Sequence, residues 1–323
     1  MAKSPNPSER SEQADSPPAR EGAGVGGPSG LRGSLRSNEP MAGHVSWRAG
    51  GAAARACFPA DLDDLAAFFA RTRHDEAMLM VGLGSNLLVR DGGFDGTVIF
   101  THAALAGLRA EADGSIYCEA GVPSPKLARF AINQGLVGAE FLAGIPGTVG
   151  GALAMNAGCH GSETWNLVER VLMLNRRGER IERTRADFDI GYRHVGLKNA
   201  TDEIFAAAWL RFAAGDVEAA RERMREMLDK RAATQPLQLP NAGSVFRNPP
   251  GDHAARLIEA AGWKGLMEGG AQVSEKHANF IVNPDGNATA TAIEMLIGRI
   301  QADVFKKFAV QLKREVRIVG VTP

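Results

Sequence analysis

The 323-residue sequence is short of several things, and each shortage removes a class of protein. Its three cysteines, Cys57, Cys118 and Cys159, are odd in number and never spaced C-x-x-C. That argues against a disulfide framework or a zinc knuckle and fits a reducing cytoplasm. Net charge is missing, with Lys plus Arg and Asp plus Glu at 37 each, so no global field favours a nucleic-acid backbone or an anionic membrane surface. No apolar run approaches the roughly 20 residues of a membrane-spanning helix, and the N-terminus lacks the apolar core of a secretory signal. No cluster of His, Cys, Asp and Glu has metal-ligand spacing, so no metal is expected.

What remains is ordinary globular material, 44% hydrophobic and 23% charged, long enough for two or three compact units. Residues 1–40 hold six of the 16 prolines among Ser, Gly and charged residues, with little to bury. They are expected to be a disordered tail, with globular patterning from Met41, itself a candidate start. Asp61 as N-cap, Asp64 three residues on, and the stripe Leu62, Leu65, Ala66, Phe69 predict a helix over 61–73. Strands are predicted at 78–81, 97–100, 116–119, 171–175 and 204–212, with a helix near 124–134 and a hairpin turn at 176–178. A charged helix from 217 to about 231 should carry the chain into a last unit with helices near 253–261 and 290–308 and a closing strand, 315–319. The pattern is α+β.

Glycine is concentrated at Gly50-Gly51, at Gly82-Leu-Gly-Ser-Asn86, at Gly144-Ile-Pro-Gly-Thr-Val-Gly-Gly151 and at Asn156-Ala-Gly158. Without a Cβ, successive backbone N–H groups can converge on an anion, and Ser or Asn can add donors. The Gly82 segment is not the dinucleotide fingerprint G-x-G-x-x-G, because Leu87 stands at the sixth position and no helix pattern follows. One such loop is a tight turn more often than a ligand site, but four within about a hundred residues favour a large phosphate-bearing cofactor.

These segments, with Trp47-Arg-Ala-Gly-Gly51, Gly191-Tyr-Arg193, Asn241-Ala-Gly-Ser244, Asn248-Pro249, Ser274 to Asn283 and Arg314-Glu-Val-Arg317, resemble the bacterial UDP-N-acetylenolpyruvoylglucosamine reductases in order and rough spacing. The resemblance runs from Met41 to Val319 and is to the shorter subtype. It implies an FAD-binding domain over 41–214, made of two α+β subdomains of the vanillyl-alcohol oxidase/p-cresol methylhydroxylase type, and a substrate-binding domain over 215–323. It implies FAD as cofactor, NADPH as hydride donor and a small-molecule UDP-sugar as substrate, for a cytoplasmic monomer in peptidoglycan precursor synthesis that engages neither nucleic acid nor membrane. Cofactor contacts are expected from Gly82, Gly84, Ser85, Asn86, Leu87, Gly144, Ile145, Gly147, Gly150, Asn156 and Gly158.

The implied reaction adds hydride to an enolpyruvyl double bond, leaving negative charge beside a carboxylate that must be stabilised and then protonated. Arg193 matches the family's arginine, a permanently charged clamp for a carboxylate. Ser244 matches the proton donor, a weak acid that serves only a strongly basic carbanion. Glu315 matches the third catalytic group, a carboxyl able to hydrogen-bond the substrate's carboxylate if it carries a proton. Taken without the family, Arg193 reads as a surface ion pair, Ser244 as a turn residue and Glu315 as a strand-end partner of Lys313, Arg314 or Arg317. Asn248 and His277 are further expected substrate contacts, with Arg193. One departure is His194-Val195 after Arg193, where the family often has a serine, which leaves open what supports the arginine. Two competing readings are an oxidase of the same superfamily and a nucleotide-binding module without catalysis.

Overall fold

The protein was analysed as a computed structural model that describes residues 30–199 and 202–323. Its first unit is built on a four-stranded sheet. Strand β1 (Ser34–Pro40) runs antiparallel to β2 (Ala52–Phe58). Helix α1 (Leu62–Arg71) then crosses over to β3 (Met78–Val81), followed by β4 (Leu87–Val89) and β5 (Phe94–Phe100). The sheet order is β1-β2-β5-β3, with β5 parallel to both β2 and β3. Asp61 accepts the N–H of Asp64 as the sequence predicts, starting α1 by satisfying one of its orphan donors. The buried face of α1, Leu65, Phe68 and Phe69, packs with Ile99 of β5 and with Leu174 and Ala206 of the next sheet. At about 1.5–3 kcal/mol for each large apolar side chain buried, this helix is the joint between the first two units.

The expected tail needs correction. Its residues 1–29 lie outside the described residues, but Ser34–Pro40 pairs along β2. Composition misses this strand because its partners are distant. Ahead of it, the buried Asp64 carboxylate takes the N–H of Arg32 at 2.8 Å and of Gly33 at 2.8 Å, as well as that of Ala60 at 2.9 Å.

The second unit carries a five-stranded antiparallel sheet containing β6 (Leu108–Ala110), β7 (Ile116–Glu119) and strands Val168–Leu174, Arg180–Thr184 and Ile204–Leu210. Helices α2 (Ser124–Asn133) and α3 (Val149–Met155) cover it, sharing a core of Leu127, Leu153, Trp165 and Val171. A hairpin of Phe188–Gly191 and His194–Leu197 projects from this unit with Tyr192-Arg193 as its turn. Helix α4 (Val217–Thr234) lies against α2 and the 140–144 turn, where Arg223 reaches the buried Glu140 at 2.6 Å. The chain therefore crosses to the last unit after Thr234, later than the expected boundary at 215.

In the last unit α5 (Ala254–Ala260) and α6 (Ala290–Phe308) pack on a three-stranded sheet of Met267–Glu268, Ala271–Val273 and Ile281–Val282. Its core includes Trp47 and Leu88 of the first unit. The closing strand, Arg317–Val319, shorter than predicted, pairs in parallel with β4 and so returns to the first unit. Among the described residues no helix is long and apolar enough to cross a membrane.

Candidate active site

The loop after β3 must turn sharply beneath the segment that precedes β2. Gly84 has φ +61°, and a Cβ there would strike the carbonyl of His44, so only glycine fits. A Cβ on Gly82 would likewise collide with the Thr148 hydroxyl, and one on Gly147 would come within 3.2 Å of Ser85 Oγ. The two glycine loops thus touch. The N–H groups of Leu83, Gly84, Ser85 and Asn86, and those of Gly147 and Thr148 opposite, donate to no oxygen of the described residues. Consecutive unpaired amides of this kind form an anion-binding concavity.

Not all the expected cofactor contacts belong to this cradle. Gly82, Gly84, Ser85, Asn86 and Gly147 do. Leu87 is buried at the start of β4, and Gly144 and Ile145 are buried, with the missing Cβ of Gly144 facing Cys159 Sγ at 3.0 Å. Gly150 lets α3 approach Ala120. Asn156 is only 1% exposed, and its amide is committed to protein groups. The carbonyl of Gly158 holds Arg193. These last residues have a packing or positioning task, because loops dense in glycine serve close helix–strand approach as well as ligands.

Arg193 itself is left-handed, φ +54°, at the tip of its hairpin. Its Nε donates to Glu315 Oε1 at 2.7 Å, and its terminal nitrogens donate to the carbonyls of Gly158 at 2.8 Å and Asn156 at 3.4 Å. Glu315 therefore pairs with a residue 122 positions away rather than with Lys313, Arg314 or Arg317. The pair is shielded, the two side chains being 17% and 16% exposed, and its short charge-assisted bond fixes the plane of the guanidinium. His194 points away, exposed, toward Asp189 at 3.4 Å, so the support of the arginine comes from carbonyls and a carboxylate.

The backbone of Glu315 is held on both sides. Its N–H donates to Val245 O at 2.8 Å, and its carbonyl accepts from Asn86 Nδ2 at 3.2 Å. Ser244 immediately precedes Val245, after Gly243 with φ +74°, and its hydroxyl makes no hydrogen bond among the described residues. The structure thus gathers Arg193, Glu315, the Ser244 segment and the end of the glycine cradle into one neighbourhood.

Of the expected substrate contacts, Asn248 is occupied as a cap, its Oδ1 accepting the N–H of Ala254 at 3.1 Å to start α5. His277 is half-buried, edge-on to Phe280 at 4.8 Å, and burial holds its imidazole below the usual value. It adjoins a cavity of about 300 Å³ lined by Gln235, Leu237, Leu239, Gln272, Ser274 and Lys276. The cavity and Ser244 lie at opposite ends of the segment 239–244, which bridges to Val282 through Asn241. Sequence reading missed Arg231. In a helix that reads as uniformly charged, it turns inward beside Gly144 and Cys159, and among the described residues no carboxylate pairs with it. Burial lowers its pKa, and its Nε donates to Gln235 of the cavity wall at 3.1 Å.

A two-subdomain α+β unit with a phosphate-type cradle, followed by an α+β unit that closes over it, is the architecture of an FAD-binding oxidoreductase. The comparisons agree. Residues 53–184 match the model of an FAD binding domain, and residues 235–319 match that of the UDP-N-acetylenolpyruvoylglucosamine reductase C-terminal domain. A UDP-N-acetylenolpyruvoylglucosamine reductase of Thiobacillus denitrificans is 56% identical over 303 residues, covering 90% of this chain and 93% of the relative. That of Nitrosomonas eutropha is 54% identical over 299 residues, covering 90% of each. The crystal structure of the Thermus caldophilus reductase superposes with a TM-score of 0.75 at 30% identity, covering 89% of this chain and 99% of that one. The chain belongs to the UDP-N-acetylenolpyruvoylglucosamine reductase family.

Proposed function

We propose that the protein reduces the enolpyruvyl group of UDP-N-acetylglucosamine enolpyruvate to UDP-N-acetylmuramate, with NADPH as hydride donor, in peptidoglycan precursor synthesis in the cytoplasm. The observation that carries this reading is the ion pair of Arg193 and Glu315, set between the Ser244 segment and the last residue of the glycine cradle. The unpaired amides of Leu83 to Asn86 and of Gly147 and Thr148 suit the pyrophosphate of FAD. Bound there, FAD supplies the hydride chemistry.

The chain's own groups then have separate tasks. Arg193 spends part of its fork on Glu315, Gly158 and Asn156, and its remaining N–H groups are available to a substrate carboxylate. As charge grows beside that carboxylate, the guanidinium stabilises it without reorganising, because its plane is already fixed. Ser244, with no partner of its own, donates a proton to the developing carbanion. Glu315 orients Arg193 before substrate arrives. Arg231, an inward cation that donates to Gln235 of the cavity wall, suits the diphosphate of the UDP-sugar, with Lys276 lining the same cavity.

The test begins with colour. The purified protein should be yellow and should consume NADPH rapidly only with the enolpyruvyl UDP-sugar present. A colourless protein supports a nucleotide-binding module, and NADPH oxidation that tracks oxygen without substrate supports an oxidase. In Ser244→Ala, Arg193→Ala and Glu315→Gln, flavin reduction by NADPH should survive while reoxidation by the UDP-sugar collapses. Full turnover in Ser244→Ala would remove its role as proton donor.

A further inference from the structure

Asn156 was expected to touch the cofactor, yet its hydrogen bonds point elsewhere. It caps α3 in a left-handed conformation, φ +42°. Its Nδ2 donates to Glu163 Oε2 at 2.8 Å and to the carbonyl of Gly191 at 3.2 Å, and its Oδ1 accepts the N–H of Trp165 at 3.1 Å. Both amide hydrogens are used, so none is left for a phosphate. Gly191 is the last residue before the Tyr192-Arg193 turn, and the carbonyl of Asn156 itself accepts from the Arg193 guanidinium at 3.4 Å. Asn156 therefore holds Arg193 at both ends, by the backbone of its hairpin and by its charged tip.

That grip matters because of Arg193's backbone. A left-handed arginine is less stable than a right-handed one by about 1–2 kcal/mol, and such a conformation persists only where surroundings over-determine it. The hairpin ladder fixes one side, and the buried amide of Asn156, anchored on Glu163, fixes the other. We propose that Asn156 is a positioning residue for the reduction of substrate, setting the Arg193 turn and through it the guanidinium that clamps the substrate's carboxylate. The inference rests on the role assigned to Arg193 above.

The test uses the flavin-loaded protein and separates the two half-reactions. Asn156→Gly keeps the left-handed backbone and its carbonyl and deletes only the amide. Flavin absorbance per protein should be unchanged and bleaching by NADPH should stay within about twofold. Reoxidation by the enolpyruvyl UDP-sugar should slow by roughly 10- to 100-fold, the scale expected for displacing a catalytic group by about 1 Å. In an Arg193→Ala background the same change should add less than about threefold, since contacting residues that act through one another are not additive. The double variant Asn156→Asp with Glu163→Gln is the second arm. It retains a bond between positions 156 and 163 and the acceptor for Trp165 but has no donor for Gly191, so it too should be slow. Parental reoxidation in either Asn156 variant, or a full additional loss in the Arg193→Ala background, overturns the positioning role. Parental reoxidation in Arg193→Ala alone overturns instead the reading on which it rests.

Discussion

Trp47 tests whether the site depends on docking of the last unit. Its ring is fully buried in the core of the C-terminal unit although it precedes β2 of the first. Its Nε1 donates to Ile281 O at 2.7 Å, and its own carbonyl accepts from Asn283 Nδ2 at 2.9 Å. Trp47→Ala removes the ring but keeps the carbonyl, so the Asn283 bond can survive. The loss is then a cavity term of about 3–5 kcal/mol with about 1–3 kcal/mol for the Ile281 carbonyl left short of a donor. Trp47→Phe should keep most of the packing and lose about 1–3 kcal/mol through that carbonyl. Since whole domains are stable by only about 5–15 kcal/mol, the alanine variant should open the last unit while the first two remain folded. Amide hydrogen exchange in α5 and α6, compared with β5 and β7, measures this directly. Protection in α5 and α6 falling by less than about 1 kcal/mol in Trp47→Ala would refute the argument, because an isolated surface tryptophan would do no more.

Three other outcomes are expected. Asp91 accepts the N–H groups of Ala290 and Thr291, at 3.0 and 2.8 Å, at the start of α6, so Asp91→Ala should cost about 0.5–2 kcal/mol, read by denaturant unfolding. Burial pushes the Asp91 carboxyl up, but the Thr291 hydroxyl and the two amides outweigh it and hold it below the ordinary value. Its folded value being depressed, its contribution is complete above the unfolded carboxylate range near about 4 and is lost as pH falls further, an acid sensitivity that Asp91→Ala should lack. Gly84→Ala, forced into a left-handed turn against the His44 carbonyl, should weaken flavin retention at least about tenfold, measured by flavin release on dilution. Arg231→Gln should raise KM for the UDP-sugar about 10- to 100-fold with NADPH bleaching unchanged, while thermal stability holds or rises because a shielded cation without a carboxylate partner is removed. A fall in stability with unchanged KM would make Arg231 structural.

The sequence was legible where local rules govern. The N-cap at Asp61, β3, the helices 124–133 and 290–308 and the hairpin at 176–178 stand within a few residues of expectation, because each is set by periodicity or turn chemistry. The strand at 34–40 was not, since its stability comes from pairing with β2 and from Asp64. Glycine density marked both loops, but as letters Gly84 and Gly147 look identical to Gly144 and Gly150, whose missing Cβ atoms face Cys159 and Ala120. Composition also could not foresee that Glu315 would pair with Arg193 across 122 residues, or that Arg231 would turn inward from a polar helix. Those facts belong to the tertiary arrangement, and only the family resemblance pointed to Glu315.

The way the site is assembled follows from one short stretch of backbone. Asn86 ends the glycine cradle, and its side chain donates to the carbonyl of Glu315 while its own carbonyl accepts the N–H of Arg317 at 3.0 Å. The next residue, Leu87, begins β4 and pairs in parallel with Arg317. The carboxylate that fixes Arg193 is thus registered against the loop that would hold the cofactor's phosphates, with no flexible linker between them. Because a one-residue slip of that ladder would turn every side chain of the closing strand to its other face, the pairing of β4 with 317–319 specifies which way Glu315 approaches the arginine. The arginine comes from a different unit, and its hairpin is held by Asn156, two residues before the Gly158 carbonyl that also binds it. Each partner of the ion pair is therefore tied by backbone to its own glycine-rich segment, so the geometry between them is set by how the cradle and the Asn156-Ala-Gly158 turn sit relative to each other, and that relation is fixed in turn by the close packing of Gly82 on Thr148 and of Gly150 on Ala120.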